Sequence, residues 1–174
     1  MIRRAATALA FASLLGAEPA AAGELFAGAF AHDLSVVAVG GFEHGAQLSL
    51  GYRTDPLTGL RIIGRPSLYG FGAANTAGGL NYGAAGLSWK WGDRFYLRPG
   101  LGVGVHDGEV GRFQVGNTLN LGSRVLAELE LGAGAKITSR LSAEASFVHM
   151  SHGQLAGRQN PGLDDIGVRM NYRF

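Results

Sequence analysis

Apolar and polar residues alternate along most of this chain in stretches of about ten, broken by short clusters of Gly, Asn, Asp, Ser and Thr. A period of two marks a strand with one apolar face. Leu141, Ala143, Ala145 and Phe147 alternate with Ser142, Glu144 and Ser146. Ile166, Val168, Met170, Tyr172 and Phe174 alternate with Arg169, Asn171 and Arg173. Val125, Ala127, Leu129 and Leu131 oppose Glu128 and Glu130, and Phe95, Leu97, Leu101 and Val103 oppose Arg94, Tyr96 and Arg98. Eight strands are predicted, at 24–32, 43–54, 60–73, 79–91, 94–106, 121–137, 141–152 and 164–174.

The connections point to one architecture. Those after the second, fourth and sixth strands contain the short turns "TDPLTG", "WGDR" and "TSR", whereas those after the third, fifth and seventh are longer. An even strand number with short turns at one end and longer loops at the other defines an antiparallel transmembrane β-barrel of the bacterial outer membrane. Both termini then lie in the periplasm. A soluble sandwich would alternate as well, but Tyr172 and Phe174 on the apolar face are similar to the carboxy-terminal assembly signal of such barrels. Eight strands leave an interior that side chains fill, so no open pore is expected. Glu128, Glu130 and Glu144 are predicted to pair with interior Arg residues, because buried charge needs a partner. Pro66 falls inside the third predicted strand, where a closed sheet tolerates it only at a bulge.

Composition narrows the field further. The chain has 29 glycines, no cysteine, 16% charged residues and a net charge of +2. Disulfides are excluded, and the scattered basic residues give no support to nucleic-acid binding. The start, "MIRRAATALAFASLLGAEPAAAG", reads as a signal peptide over 1–22, with Ala20 and Ala22 before a cleavage that leaves Gly23 first. The mature domain is 23–174. Beyond that segment no apolar run reaches the roughly 18 residues of a spanning helix.

Most candidate motifs carry no chemistry. "GLGVGV" and "GAGAK" do not open helices, so they read as strand glycines rather than phosphate loops. No Gly-x-Ser-x-Gly elbow or His-Glu-x-x-His helix is present. His149 and His152 point to opposite faces of a strand and cannot share a metal; no metal or organic cofactor is expected. His32, His44 and His106 fall near strand ends, where solvated loop residues are the default. His149 and Ser151 differ, because they share the parity of Phe147 and so face lipid. Parity alone leaves two readings, a functional pair or polar residues that have reached the headgroup zone. Asp164 has the outward parity of Ile166 on the next strand, whereas Asp165 has the inward parity of Arg169. Residues two apart on a strand face are about 6.6 Å apart at Cα, within reach of a His–Ser hydrogen bond. An acid on the neighbouring strand can take the other ring nitrogen, the arrangement of an activated serine.

"HMSHGQLAGRQNPGLDDIGVRMNYRF" resembles the terminal hairpin of the PagL-type lipid A 3-O-deacylases, the outer-membrane acyloxyacyl hydrolases. The likeness lies in His-x-Ser, then Asn-Pro-Gly-x and an acid, then a short strand ending in Phe; "GSRVLAELELG" is similar more loosely. It implies an eight-stranded barrel with a serine esterase site facing the bilayer, Ser151 as nucleophile, His149 as base and Asp164 as orienting acid. The substrate implied is lipid A of lipopolysaccharide in the outer leaflet, losing its ester-linked 3-hydroxyacyl chain at the 3-position. The family's best-known members carry Glu where Asp164 stands and Asn where His152 follows the serine, and the loop here is one residue longer. The oxyanion donors are therefore open among His152, Gly153 and Asn160. Pro161-Gly162 suits a type II turn with Gly at the positive-φ position. The alternatives are a structural or adhesive barrel without catalysis and an esterase acting on phospholipid. Oligomeric state, monomer or homodimer, stays open.

Overall fold

The computed structural model describes residues 23–111, 118–155 and 160–174, so the expected signal peptide lies outside the described residues. The strands are β1 (Gly23–Ala31), β2 (Ala46–Thr54), β3 (Ser67–Asn75), β4 (Tyr82–Ser88), β5 (Trp91–Gly92), β6 (Phe95–His106), β7 (Val125–Lys136), β8 (Leu141–Ser151) and β9 (Leu163–Arg173). All pair antiparallel with their neighbours, in the order β4-β3-β2-β1-β9-β8-β7-β6. Pairing of β4 with β6 closes the ring. The two-residue β5 also pairs with β6, so it continues the position of β4 and the barrel has eight strands.

Alternation sorts the two faces as the sequence leads one to expect. Leu97, Leu101, Val103, Leu129, Leu131, Ile166, Val168 and Met170 are exposed on the outer wall, where an outer-membrane barrel meets lipid. The inner face carries an aromatic group, Phe26, Phe30, Tyr69, Phe71 and Tyr82, and a buried set of charges. Arg98 donates to Glu130 and Glu144, each at 2.5 Å, and Arg169 donates to Glu130 at 2.5 Å. The Arg169 guanidinium also lies over the Phe26, Phe71 and Phe30 rings, 4.9–5.2 Å from their centroids. The expected pairing thus holds for Glu130 and Glu144. Glu128 differs, because it accepts a hydrogen bond from the Tyr69 hydroxyl instead.

Several boundaries depart from the sequence reading. The third strand begins at Ser67, not at residue 60, because Thr58–Ile63 forms a 3-10 helix in the connection. Pro66 therefore precedes the strand, and its carbonyl accepts from Leu57 N–H at 2.9 Å, so no bulge is required. The turn "TDPLTG" starts on Thr54, the last residue of β2, and covers only the first part of a longer connection, 55–66. The connection after β1, 32–45, is also long and folds against the start of β9. His32 and His106 are buried rather than solvated; His44 is exposed, as expected. His32 turns inward to Asp165, and His106 Nε2 lies 2.7 Å from the Ser123 carbonyl oxygen.

Candidate active site

At the end of the barrel that carries connections 32–45 and 152–162, three side chains from two adjacent strands meet. β8 ends on Ser151, and the β8–β9 register places His149 directly opposite Asp164. His149 Nδ1 lies 2.7 Å from Asp164 Oδ1, and His149 Nε2 lies 3.0 Å from Ser151 Oγ. A carboxylate can only accept, so Nδ1 carries the proton and donates to Asp164. Nε2 then holds the lone pair that accepts from the Ser151 hydroxyl. Such a chain can withdraw the hydroxyl proton as the oxygen attacks a carbonyl carbon.

Asp164 shares the outward parity of Ile166 and Val168, yet it is fully buried whereas they are exposed. The connection 32–45 covers it. Val36, Val37 and Ala38 donate their backbone N–H groups to Asp164 Oδ2 at 3.0, 2.5 and 2.7 Å. Leu34 N–H donates to the Asp164 carbonyl at 2.8 Å, and Val39 N–H donates to the Pro161 carbonyl at 2.9 Å. With the imidazole N–H, Asp164 receives four donors on its two carboxylate oxygens, which offsets the cost of burying a charge. Residue type does not identify these three donors, because backbone amides leave no signature in it. The run "VVAV" in a connection otherwise rich in polar residues and glycine is the one hint.

Asp165 faces the interior, as its parity predicts. Its Oδ1 accepts from the His32 ring at 2.9 Å and from Asp33 N–H at 3.1 Å, and its Oδ2 accepts from Tyr82 at 2.7 Å. The other His32 nitrogen lies 3.3 Å from Glu43 Oε2. Burial alone would lower the pKa of His32, but its hydrogen bonds to Asp165 and Glu43 prevail and push it up to about 9. His32 is thus an imidazolium at neutral pH, bridging the connection to the barrel wall. Asp33 completes the anchorage, accepting at Oδ2 from Phe42 and Glu43 N–H at 2.6 and 2.8 Å.

The three oxyanion candidates gather just past Ser151. Asn160 Oδ1 accepts from the His152 backbone N–H at 3.1 Å, which orients the amide and leaves its nitrogen as the donor end. The His152 side chain is buried. Gly153 has φ +56°, and Gly162 has φ +77° with His149 Cε1 3.3 Å from where its Cβ would stand. Glycine at 162 thus both permits the left-handed backbone and leaves room for the imidazole. A shallow depression of about 630 Å³ on the outer wall, lined by Leu97, Ala133, Ala145 and Met170 among others, is a separate feature. Ala145 is six residues from Ser151 along β8, about 20 Å away.

Fold and site together describe an eight-stranded membrane barrel with a hydrogen-bonded Ser, His and Asp set on its outer wall. The family model for lipid A 3-O-deacylase (PagL) matches residues 40–173, and the chain belongs to that family. The crystal structure of the outer membrane enzyme PagL superposes with a TM-score of 0.61 at 18% identity, over 87% of this chain and 99% of that one. A de novo designed transmembrane β-barrel superposes at 0.52 with 9% identity, over 87% of this chain and 95% of the design. No curated protein sequence matches the chain. The family places the protein among outer-membrane lipid A deacylases.

Proposed function

We propose that the protein is a serine esterase that removes the ester-linked 3-hydroxyacyl chain from the 3-position of lipid A. Ser151 Oγ attacks the ester carbonyl carbon while His149 Nε2 takes its proton. The tetrahedral intermediate collapses, the sugar oxygen leaves with the proton from His149, and the acyl group remains on Ser151. Water, deprotonated by His149, then attacks the acyl-enzyme; the hydroxy fatty acid is released as His149 returns that proton to Ser151 Oγ. Asp164 holds the imidazole in the tautomer that accepts at Nε2 and stabilises the imidazolium that forms. Donors for the oxyanion come from the group next to Ser151, with the Asn160 amide nitrogen and the Gly153 N–H as the candidates and His152 as an alternative.

The observation that carries this reading is the Asp164–His149–Ser151 hydrogen-bond chain on the lipid-facing wall, at 2.7 and 3.0 Å. A non-catalytic barrel has no use for a buried carboxylate joined through an imidazole to a hydroxyl at that position, because burying a charge costs free energy that its hydrogen bonds only offset. Family membership favours lipid A over phospholipid as the ester. The domain reading that accompanies it is a signal peptide over 1–22 followed by the barrel, so that the connections after β1 and β8, beside the candidate site, face outward next to the lipopolysaccharide leaflet.

Mass spectrometry of lipid A from cells expressing the protein tests the proposal. Lipid A should lose one 3-hydroxyacyl group with the wild-type protein and keep it with Ser151→Ala or His149→Ala, each change lowering turnover by roughly 10⁴-fold or more. Deacylation by a folded Ser151→Ala barrel at the wild-type rate would exclude the serine mechanism.

A further inference from the structure

The segment 34–39 has two unlike sides. Its backbone is bonded to the barrel, through Leu34 N–H to the Asp164 carbonyl, Val39 N–H to the Pro161 carbonyl, and three amides on Asp164 Oδ2. Its flanks are anchored by polar groups directed inward: His32 to Asp165, and Asp33 to the Phe42 and Glu43 amides. Its side chains Val36, Val37 and Val39, by contrast, are 56%, 69% and 64% exposed. A connection held this firmly would have no reason to present three valines to water.

Position explains them. The carboxylate that the segment cradles belongs to the outer face of β9, so the segment lies against the outer side of the barrel. There it extends the exposed apolar row of Ile166, Val168 and Met170 beyond the end of the strand. That row is the surface by which an outer-membrane barrel meets lipid. Exposed valines whose amides hold the residue that precedes this row on the same strand face, Asp164, fit the same solvent.

We infer that residues 34–39 form a strap that contacts the acyl chains of the surrounding leaflet through Val36, Val37 and Val39, while its amides hold Asp164. The lipid contact follows from the barrel fold and the exposed valines. Its bearing on the reaction rests on the serine-esterase reading: the residues touching the acyl chains would be those that fix the catalytic acid, so a lipid-inserted strap and an assembled site would be one state.

The chain contains no cysteine, so a single Val39→Cys is labelled uniquely with a nitroxide, and the exposure of Val39 leaves room for the label. The labelled full-length barrel is reconstituted in phosphatidylcholine vesicles that contain lipopolysaccharide, with Thr76→Cys in the β3–β4 connection at the same end of the barrel as an aqueous reference. Collision rates are then measured with oxygen, which concentrates in the acyl region, and with a water-soluble nickel chelate. The expected result at Val39 is a higher oxygen-to-nickel ratio than at Thr76, by at least several-fold, with label at Val36 agreeing. An aqueous ratio at both valine positions in heat-modifiable, folded protein would overturn the strap. The measurement needs no turnover and is repeated in Ser151→Ala. A lipid signature there with unaltered deacylation would sink the serine reading and leave the contact standing.

Discussion

His149 and Asp164 face each other across the β8–β9 ladder, with ring nitrogen and carboxylate 2.7 Å apart. The next pair along the same ladder, Val148 and Asp165, faces the interior. One residue of register therefore separates an acid that orients an imidazole on the outer wall from one that anchors a connection inside the barrel.

Substitution of each acid should separate these roles. Asp164→Asn keeps the size but cannot carry the charge opposite the imidazolium, and its amide nitrogen would meet either the ring or the three amides of 36–38. Deacylation is expected to fall by about 10²–10⁴-fold, with the barrel still folded. Asp165→Asn should leave most of the activity and lower the unfolding temperature, because it weakens the bonds to His32 and Tyr82. Heat-modifiability on gels reports folding, and lipid A profiles report activity. Loss of activity in Asp165→Asn with full activity in Asp164→Asn would reverse the assignment.

The parts of the fold and site that are legible in the sequence are those that alternation encodes. A strand places successive side chains on opposite faces, so the outward set of His149, Ser151 and Asp164 and the inward set of Asp165 and Arg169 can be read residue by residue. Ring closure needs only strand number and turn pattern. The cradle on Asp164 is not legible, because it consists of the backbone amides of Val36, Val37 and Ala38, and any residue but proline supplies an amide. His32 departs from its expected solvated place for a related reason. Its ring is drawn inward by Asp165, distant in sequence, and by Glu43 across a long connection. The third strand starts later than the pattern suggests because Leu60, Ile62 and Ile63 mimic a strand while forming a turn of 3-10 helix.

The pH dependence of stability should report on His32. Its pKa in the folded protein is raised to about 9 from an ordinary 6.5, so the folded state binds the proton more tightly than the unfolded chain. The stabilisation is fully present below about pH 6.5 and is lost as pH rises through about 9. The groups that face the ring are Asp165 and Glu43, with Asp33 and Tyr82 adjoining through Asp165. Thermal unfolding followed between about pH 6 and 10 should show a fall in the wild type that is absent in His32→Gln. Superimposable profiles for the two proteins would mean that His32 carries no proton of consequence to the fold.

Arg98 is completely buried and bridges Glu130 and Glu144, from β6 to β7 and to β8, and Glu130 also receives Arg169. Arg98→Met preserves much of the volume but leaves the Glu144 carboxylate with Ser146 as its remaining hydrogen-bond donor among the described residues. Removal of one partner from a buried ion pair typically costs about 3–5 kcal/mol, so Arg98→Met should unfold at markedly lower urea concentration. Replacing Glu144 as well, in Arg98→Met/Glu144→Gln, removes the orphaned charge and should recover a substantial part of the loss. Arg98 and its partners lie inside the wall, whereas Ser151 and His149 lie outside it. Activity per folded molecule should consequently change little in either variant. A specific-activity loss as large as that of Asp164→Asn, in protein that remains folded, would show that the interior charges govern the register of β8 and with it the alignment of His149 and Ser151.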